Sequence, residues 1–243
     1  QTLLFEGRAL GGVCLNEGCI PSKTLLYSAK IYDYAKGGGE KYGVSCENAT
    51  LDHQAVRRRK NKVVKKLTMG IAAQLKAGKV TVVEGEAEIV SRTDGGVTVK
   101  AGNEEYLGAR LLLATGSMPT LPPIDGLKDA LASGFALTNR EILDLPEVPK
   151  SLVVVGGGVI GLEMASYFAS AGSEVTVVEM LESIGGPIDS EIAGMLLKAY
   201  EKKGITFLLG TTAKKFETGQ VTVEKGGQTQ VLSCEKTLIS IGR

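Results

Sequence analysis

Residues 151–179 read SLVVVGGGVIGLEMASYFASAGSEVTVVE, and they carry the strongest structural signal in the chain. A β-branched run at 152–155 is typical of a buried strand. It leads through three glycines into an apolar segment at 160–171 that has the length of a helix. A second apolar strand follows at 175–178. Strand, glycine loop, helix and strand in this order predict a βαβ unit of a nucleotide-binding α/β fold.

The glycines of this stretch form the pattern Gly156-x-Gly158-x-x-Gly161. In such a loop the first glycine permits a tight turn, the second lets a pyrophosphate approach the backbone, and the third lets helix and strand pack closely. Glu179 lies 18 residues after Gly161, where a carboxylate accepts hydrogen bonds from a ribose 2′-hydroxyl and repels a 2′-phosphate. The pattern therefore predicts an NAD site; a purely structural glycine turn is the alternative.

The first half of the chain predicts a second α/β region. Residues 2–6 are typical of a short buried strand, and helical patterns begin at Cys19 and again over 53–77. Residues 80–116 are rich in β-formers and predict a small meander that returns to a buried strand, Leu111 to Ala114.

A proline-rich connector at 117–150 separates the two halves, since it holds five of the seven prolines. We therefore expect two Rossmann-like dinucleotide-binding domains, residues 1–149 and 150–243, in an α/β fold. The second would continue with a helix over 189–203, a strand over 205–209 and a hairpin over 220–232.

Composition excludes several classes of function. The 243 residues carry a net charge of +1, which argues against broad attraction to nucleic acid or to a membrane surface. No run reaches the ~18 apolar residues of a membrane helix, and no signal peptide is visible, so a cytoplasmic protein is expected. The basic stretch Arg57–Lys66 is interpreted as a solvated helix face rather than an anion site. The only histidine, His53, leaves little room for a metal site and is expected at the surface.

Two of the four cysteines, Cys14 and Cys19, lie five residues apart. In a regular helix that spacing separates their Cα atoms by roughly 8.6 Å, whereas a disulfide needs less than ~7 Å. The pair can bridge only where the backbone is irregular, which Gly18 and Pro21 allow. Two packed thiols are the alternative, and Cys46 and Cys234 are expected to stay outside any disulfide.

Four motifs taken together resemble the flavin-dependent disulfide reductases. They are GGVCLNEGCIPSK, LLLATGSMP, VVVGGGVIGLE and LISIGR, which occur in this order and span essentially the whole chain. CLN…CIPSK is most similar to the branch of the family that oxidises dihydrolipoamide to lipoamide with NAD. Other disulfide reductases and the pyridine nucleotide transhydrogenases of the family remain alternatives, as does an NAD-binding module without catalysis.

The resemblance implies a role for individual residues. Cys14 and Cys19 would form a redox disulfide, in which Cys14 attacks the substrate disulfide and Cys19 faces the flavin. Lys23 would lie near the flavin ring and pair with Glu163; a simple helix-end charge is the alternative for Glu163. The residues implied for FAD are Glu6, Gly11, Gly12, Lys23, Ala87, Thr115, Gly116 and Ser117. Those implied for NAD are Gly156, Gly158, Gly161, Glu179, Ala213 and Gly242.

The chain also departs from the family pattern. Val13 stands where threonine is common, and Glu17 places a carboxylate between the cysteines, where a negative charge disfavours a thiolate and shifts a redox potential. The family further implies an upstream FAD glycine loop, an aspartate just beyond Gly242-Arg243, and a downstream domain for dimer contacts and a His-Glu base. These are expected to be missing, leaving a chain truncated at both ends and catalytically incomplete. The implied partners are a second copy when full length and the lipoyl group of a 2-oxo acid dehydrogenase or glycine cleavage complex.

Overall fold

The computed structural model describes residues 1–243 and divides into two compact units. Unit 1 contains residues 1–20 and 61–117, and unit 2 contains residues 21–60 and 118–243. The structural division therefore differs from the boundary expected at 149/150. The reason is packing, because Leu25 and Ala29 share one apolar core with Val154 and other residues of the second half. The assignment of an FAD role to 1–149 and an NAD role to 150–243 stays a prediction.

The N-terminal half contains five strands and three α-helices, and the predicted strand at 2–6 and helix at 53–77 are confirmed. Two short turns of non-α helix, Tyr34–Gly38 and Glu40–Tyr42, follow the second helix. The elements in chain order are β1 (Thr2–Glu6), α1 (Gly12–Glu17), α2 (Cys19–Asp33), α3 (His53–Ala77), β2 (Val80–Glu84), β3 (Ala87–Thr93), β4 (Gly96–Ala101) and β5 (Glu104–Gly108).

The C-terminal half begins with short elements that lie in the predicted connector and then follows the predicted order of strands and helices. The elements are α4 (Leu127–Ala132), β6 (Ala136–Leu137), α5 (Asn139–Ile142), β7 (Ser151–Val155), α6 (Val159–Ala171), β8 (Glu174–Val178), α7 (Ser190–Lys202), β9 (Thr206–Leu208), β10 (Thr212–Glu217), β11 (Gln220–Lys225), β12 (Gln228–Ser233) and β13 (Lys236–Ile239).

Unit 1 holds two small sheets. β1 pairs with β2 in parallel, and β3, β4 and β5 form the predicted antiparallel meander. The strand predicted over Leu111–Ala114 is wrong, because this segment has no regular structure and Leu112 is 88% exposed. A strand needs a neighbour for its backbone N–H and C=O groups, and β1 is paired with β2 alone.

Unit 2 is built on a five-stranded parallel sheet with the order β6-β13-β7-β8-β9. The alternation of side chains along β7 gives the sheet two buried faces. Leu152 and Val154 pack in a core with Phe168 of α6, whereas Val153 and Val155 pack in a second core with residues of β10 and β11. A sheet buried on both faces explains why its strands are continuously apolar.

β10 was missed at the sequence level. Only a hairpin over 220–232 was expected, but β10, β11 and β12 form a three-stranded antiparallel sheet. The sequence TAKKFE hides the strand, since only Ala213 and Phe216 are buried, and a β-bulge between Ala213 and Lys215 interrupts the alternation.

Two expectations about α3 are corrected by contacts within unit 2. Lys60 is buried rather than solvated, and its ammonium donates to the Leu143 carbonyl at 2.9 Å and to Asp144 Oδ1 at 2.6 Å. His53 is half-buried rather than at the surface, with Nδ1 2.8 Å from the Tyr167 hydroxyl. Both side chains tie the start of α3 to unit 2.

No helix of the chain is both long and apolar enough to cross a membrane.

Candidate functional site

The glycine loop between β7 and α6 is built as the sequence pattern requires. Gly156 has a φ of 108°, and a Cβ there would lie 2.4 Å from the Ser240 carbonyl oxygen. A Cβ on Gly161 would lie 2.2 Å from the Gly156 carbonyl oxygen, because α6 packs directly on the loop. Both positions therefore need glycine for the backbone itself to fit.

Gly158 differs from these two glycines, since a Cβ there would meet nothing within 4 Å. It is the N-cap of the 13-residue helix α6 and has no side chain to cap the first backbone N–H groups. Unpaired N–H groups and the helix dipole favour an anion at such an end. The loop thus leaves a cradle that a side chain would fill, and it fits the pyrophosphate of NAD.

Glu179 closes this site at the end of β8. Its side chain is 9% exposed, and its two carboxylate oxygens accept hydrogen bonds from different backbone amides. Oε2 accepts from Gly157 N at 2.6 Å, and Oε1 accepts from Leu181 N at 2.8 Å. The carboxylate is therefore fixed against the glycine loop and retains lone pairs for ribose hydroxyls.

Sequence reasoning missed two residues that support this loop: Gly157 within it and Ser240, which follows β13. Gly157 donates the amide that holds Glu179, and a Cβ on Gly157 would lie 3.1 Å from the carboxylate. Ser240 donates through Oγ to the Val155 and Gly156 carbonyls, each at 3.1 Å. The middle glycine of the run Gly156-Gly157-Gly158 was a signal for Gly157, but nothing in the local sequence marked Ser240.

The remaining residues implied for NAD also lie in unit 2. Ala213 is buried in β10, opposite Val223 of β11. Gly242 has a φ of 127°, and its carbonyl accepts from Thr120 N at 2.9 Å. A role for either residue toward NAD stays a prediction.

The ion pair expected between Lys23 and Glu163 is present, with Nζ 3.1 Å from Oε1. Lys23 is exposed on α2, while Glu163 is more shielded on α6. Burial raises the pKa of Tyr200, and the negative charge of Glu163 raises it further. The charge of Glu163 therefore also acts on the Tyr200 hydroxyl. An exposed pair of this kind contributes at most about 1 kcal/mol to stability.

The two cysteines lie on either side of a break between helices in unit 1. Cys14 is in α1 and Cys19 begins α2, and between them Gly18 has φ −141° and ψ −116°. This is the irregular backbone that the spacing required. Both side chains are exposed thiols in the structure, and no disulfide joins them.

The other two cysteines are also outside any disulfide, as expected. Cys46 is exposed, whereas Cys234 is buried in unit 2. Burial raises the pKa of Cys234 to about 11, although a hydrogen bond with the Val153 backbone opposes the shift.

The residues implied for FAD in unit 1 fit the group in part. Glu6 Oε1 accepts from Arg8 N at 2.8 Å and Ala9 N at 3.1 Å, so the carboxylate is fixed at the end of β1. Gly11 and Gly12 have φ values of 101° and 61°, and a Cβ on Gly12 would meet nothing within 4 Å. The others, Ala87 and the segment 115–117, are exposed, the latter outside any strand.

A protein-family comparison agrees with this geometry. The model of the pyridine nucleotide-disulphide oxidoreductases matches residues 1–243. The chain belongs to that family.

Comparisons with individual relatives point to the same family. The chain is 38% identical to dihydrolipoyl dehydrogenases of Mycoplasma genitalium and Acholeplasma laidlawii, over all of this chain and 52% and 71% of theirs. Among solved structures, the HOCl-induced flavoprotein disulfide reductase RclA from Escherichia coli matches with a TM-score of 0.79 and 28% identity. That match covers 99% of this chain and 50% of RclA, so the chain spans about half the length of several relatives.

Proposed function

We propose that the full-length protein oxidises dihydrolipoyl groups to lipoyl groups and reduces NAD. The overall reaction is dihydrolipoyl dithiol plus NAD⁺ giving lipoyl disulfide, NADH and a proton. The observation that carries the proposal is the cysteine pair at the break between α1 and α2, in a chain 38% identical to dihydrolipoyl dehydrogenases. Bound FAD would supply two-electron transfer between a disulfide and a nicotinamide.

Cys14 and Cys19 are proposed as the redox couple. In the direction of lipoyl reduction, the Cys14 thiolate attacks the lipoyl disulfide and releases one lipoyl sulfur as a thiol. The Cys19 thiolate then attacks Cys14 of the mixed disulfide, which releases the second lipoyl sulfur and leaves a Cys14–Cys19 disulfide. Exposure of both side chains gives a substrate access to this couple. The reverse sequence oxidises dihydrolipoamide.

Unit 2 is proposed to bind NAD and to discriminate against NADP. Gly156 and Gly161 shape the loop, Gly158 leaves room for the pyrophosphate, and the buried carboxylate of Glu179 accepts from the ribose. Lys23, held by Glu163, is proposed to place a positive charge near the flavin. Glu6, Gly11, Gly12, Ala87 and the segment 115–117 are the proposed contacts to FAD, with Ala213 and Gly242 as further contacts to NAD.

The proposed partners follow from the same relatives. A dihydrolipoyl substrate is carried by a 2-oxo acid dehydrogenase complex or by a glycine cleavage complex, and the full-length protein is proposed to act as a homodimer. The proposals for the substrate and for the roles of Cys14 and Cys19 rest on the relatives and on the resemblance to the family, whereas the proposal for NAD is supported by the geometry of the glycine loop and Glu179 in the chain itself.

A turnover assay of the full-length protein, loaded with FAD, tests the function. We expect NAD reduction with dihydrolipoamide, little turnover of glutathione disulfide with either pyridine nucleotide, and loss of turnover in Cys14→Ser. Preference for glutathione disulfide would favour another disulfide reductase. Hydride exchange between NADH and NADP⁺ that survives Cys14→Ser would favour a transhydrogenase. Nucleotide binding without any turnover would leave only an NAD-binding module.

A further inference from the structure

Glu17 lies next to the cysteines and is largely shielded from water. It is the last residue of α1, three positions after Cys14, so the two side chains share one helix face with Cβ atoms about 5–6 Å apart. Its side chain is 14% exposed. A carboxylate in this position disfavours ionisation of a neighbouring thiol, because two negative charges would lie close together.

The charge of Glu17 is opposed by Arg8. The Arg8 guanidinium forms a hydrogen-bonded ion pair with Glu17 Oε1 across the turn that joins β1 to α1. Arg8 is itself held in place, since its backbone N–H and that of Ala9 both donate to Glu6 Oε1. The carboxylate at the end of β1 thus shapes the turn that presents Arg8 to Glu17.

From this arrangement we propose that Arg8 is a positioning residue that maintains the reactive thiolate of Cys14 by neutralising Glu17. The inference rests on the proposed role of Cys14 as the attacking thiol. In the reaction, a thiol must lose its proton before its sulfur attacks a disulfide, and the thiolate population sets the rate. With Arg8 in place its guanidinium offsets the negative charge of Glu17; without it that offset is lost and the carboxylate acts more strongly on Cys14.

Alkylation of Cys14 by iodoacetamide, followed by peptide mass spectrometry with fragmentation across pH 5–10, measures this directly. In Arg8→Ala we expect the midpoint of the pH profile to rise by about one pH unit, with alkylation about tenfold slower at pH 7. Glu17→Gln should shift the midpoint in the opposite direction. The double variant should return close to the wild type, because neither charge remains. Arg8→Lys should restore most of the rate.

Arg92→Ala is the matched control, because Arg92 is an exposed arginine of β3 in the same unit. It removes the same charge at a distance from the cysteines in sequence and should leave the Cys14 profile unchanged. Thermal unfolding of every variant reports any loss of the folded unit.

An unchanged profile in Arg8→Ala would overturn the inference, and so would a shift that Glu17→Gln fails to reverse. The proposed function is tested separately in the same samples by oxidation with lipoamide, which should join Cys14 to Cys19 as the lipoyl disulfide is reduced to its dithiol. Failure to form that disulfide contradicts the proposed function, while the alkylation profiles still decide the role of Arg8.

Discussion

Glu6 ends a parallel strand in unit 1 and Glu179 follows one in unit 2, yet the two carboxylates have different hydrogen-bond partners. Each accepts from the backbone amide two residues later, that of Arg8 or of Leu181. Only Glu179 also binds a glycine-loop amide, that of Gly157, and it is buried. Glu6 instead bonds twice through one oxygen in an exposed turn.

The difference lies in the glycine loop that Glu179 meets and that Glu6 does not. In unit 2 a strand, a glycine loop, a helix N-terminus and a strand-end carboxylate support one another through backbone contacts. In unit 1 the carboxylate is present beside a two-stranded sheet, and it shapes the turn that carries Arg8. The strand-end carboxylate is thus anchored to a glycine loop in unit 2 and to a turn alone in unit 1.

The largest effect is expected from Gly161→Ala, which crowds the glycine loop of unit 2. The new Cβ would lie 2.2 Å from the Gly156 carbonyl oxygen and 2.5 Å from Ser240 Oγ. Overpacking at such a point costs about 1–3 kcal/mol or more, so we expect a clear fall in melting temperature and loss of NADH binding.

Gly158→Ala is its control, because a Cβ there meets open space. This variant should keep the melting temperature and weaken NADH binding alone. Equal stability of both variants would contradict the account of the loop. Differential scanning calorimetry and NADH fluorescence titration measure the two properties.

A second comparison concerns a buried and an exposed thiol of unit 2, Cys234 and Cys46. Burial raises the pKa of Cys234 to about 11 from its usual 9.0. Two pKa units reduce the thiolate about 100-fold at pH 8, so Cys234 should be alkylated about 100-fold more slowly than an exposed thiol. Cys46, which is exposed in unit 2, is the matched control. Time-resolved alkylation with mass spectrometry checks this, and equal rates for Cys46 and Cys234 would contradict the burial of the Cys234 thiol.

The two strand-end carboxylates should differ in their contribution to stability, and the smallest effect is expected from Glu6. Glu179→Ala leaves the buried Gly157 amide without its acceptor, which costs roughly 1–3 kcal/mol. Glu6→Ala exposes the amides of Arg8 and Ala9 to water, so it should lower the free energy of unfolding by no more than about 0.5 kcal/mol. Urea unfolding of both variants measures the difference, and a larger loss in Glu6→Ala would reverse the comparison.

Local patterns predicted most of the fold because the relevant forces act over short sequence distances. Periodicity located α3, and the glycine spacing with flanking apolar runs located β7, α6 and β8. Glu179 was found in the same way, as a carboxylate at a fixed distance after the loop. The irregular backbone between Cys14 and Cys19 was also found, because the spacing required it for a disulfide.

Contacts between distant segments were not predictable from one sequence. Ser240 donates hydrogen bonds to a loop more than 80 residues earlier. The buried ammonium of Lys60 donates to a carbonyl and a carboxylate of the connector. Leu111–Ala114 has the composition of a buried strand, but composition does not supply a partner strand. The ion pair between Arg8 and Glu17 depends on a turn whose shape is set by Glu6.

The central claim is that unit 2 binds NAD and that Glu179 selects it over NADP. Titration of the 243-residue chain with NADH and with NADPH tests this most directly. Loss of a charge-assisted hydrogen bond costs roughly 1.5–3 kcal/mol, so NADH should bind about 10–150-fold more tightly than NADPH. In Glu179→Ala that preference should fall away. Equal binding of the two nucleotides by the wild type, or tighter binding of NADPH, would contradict the account.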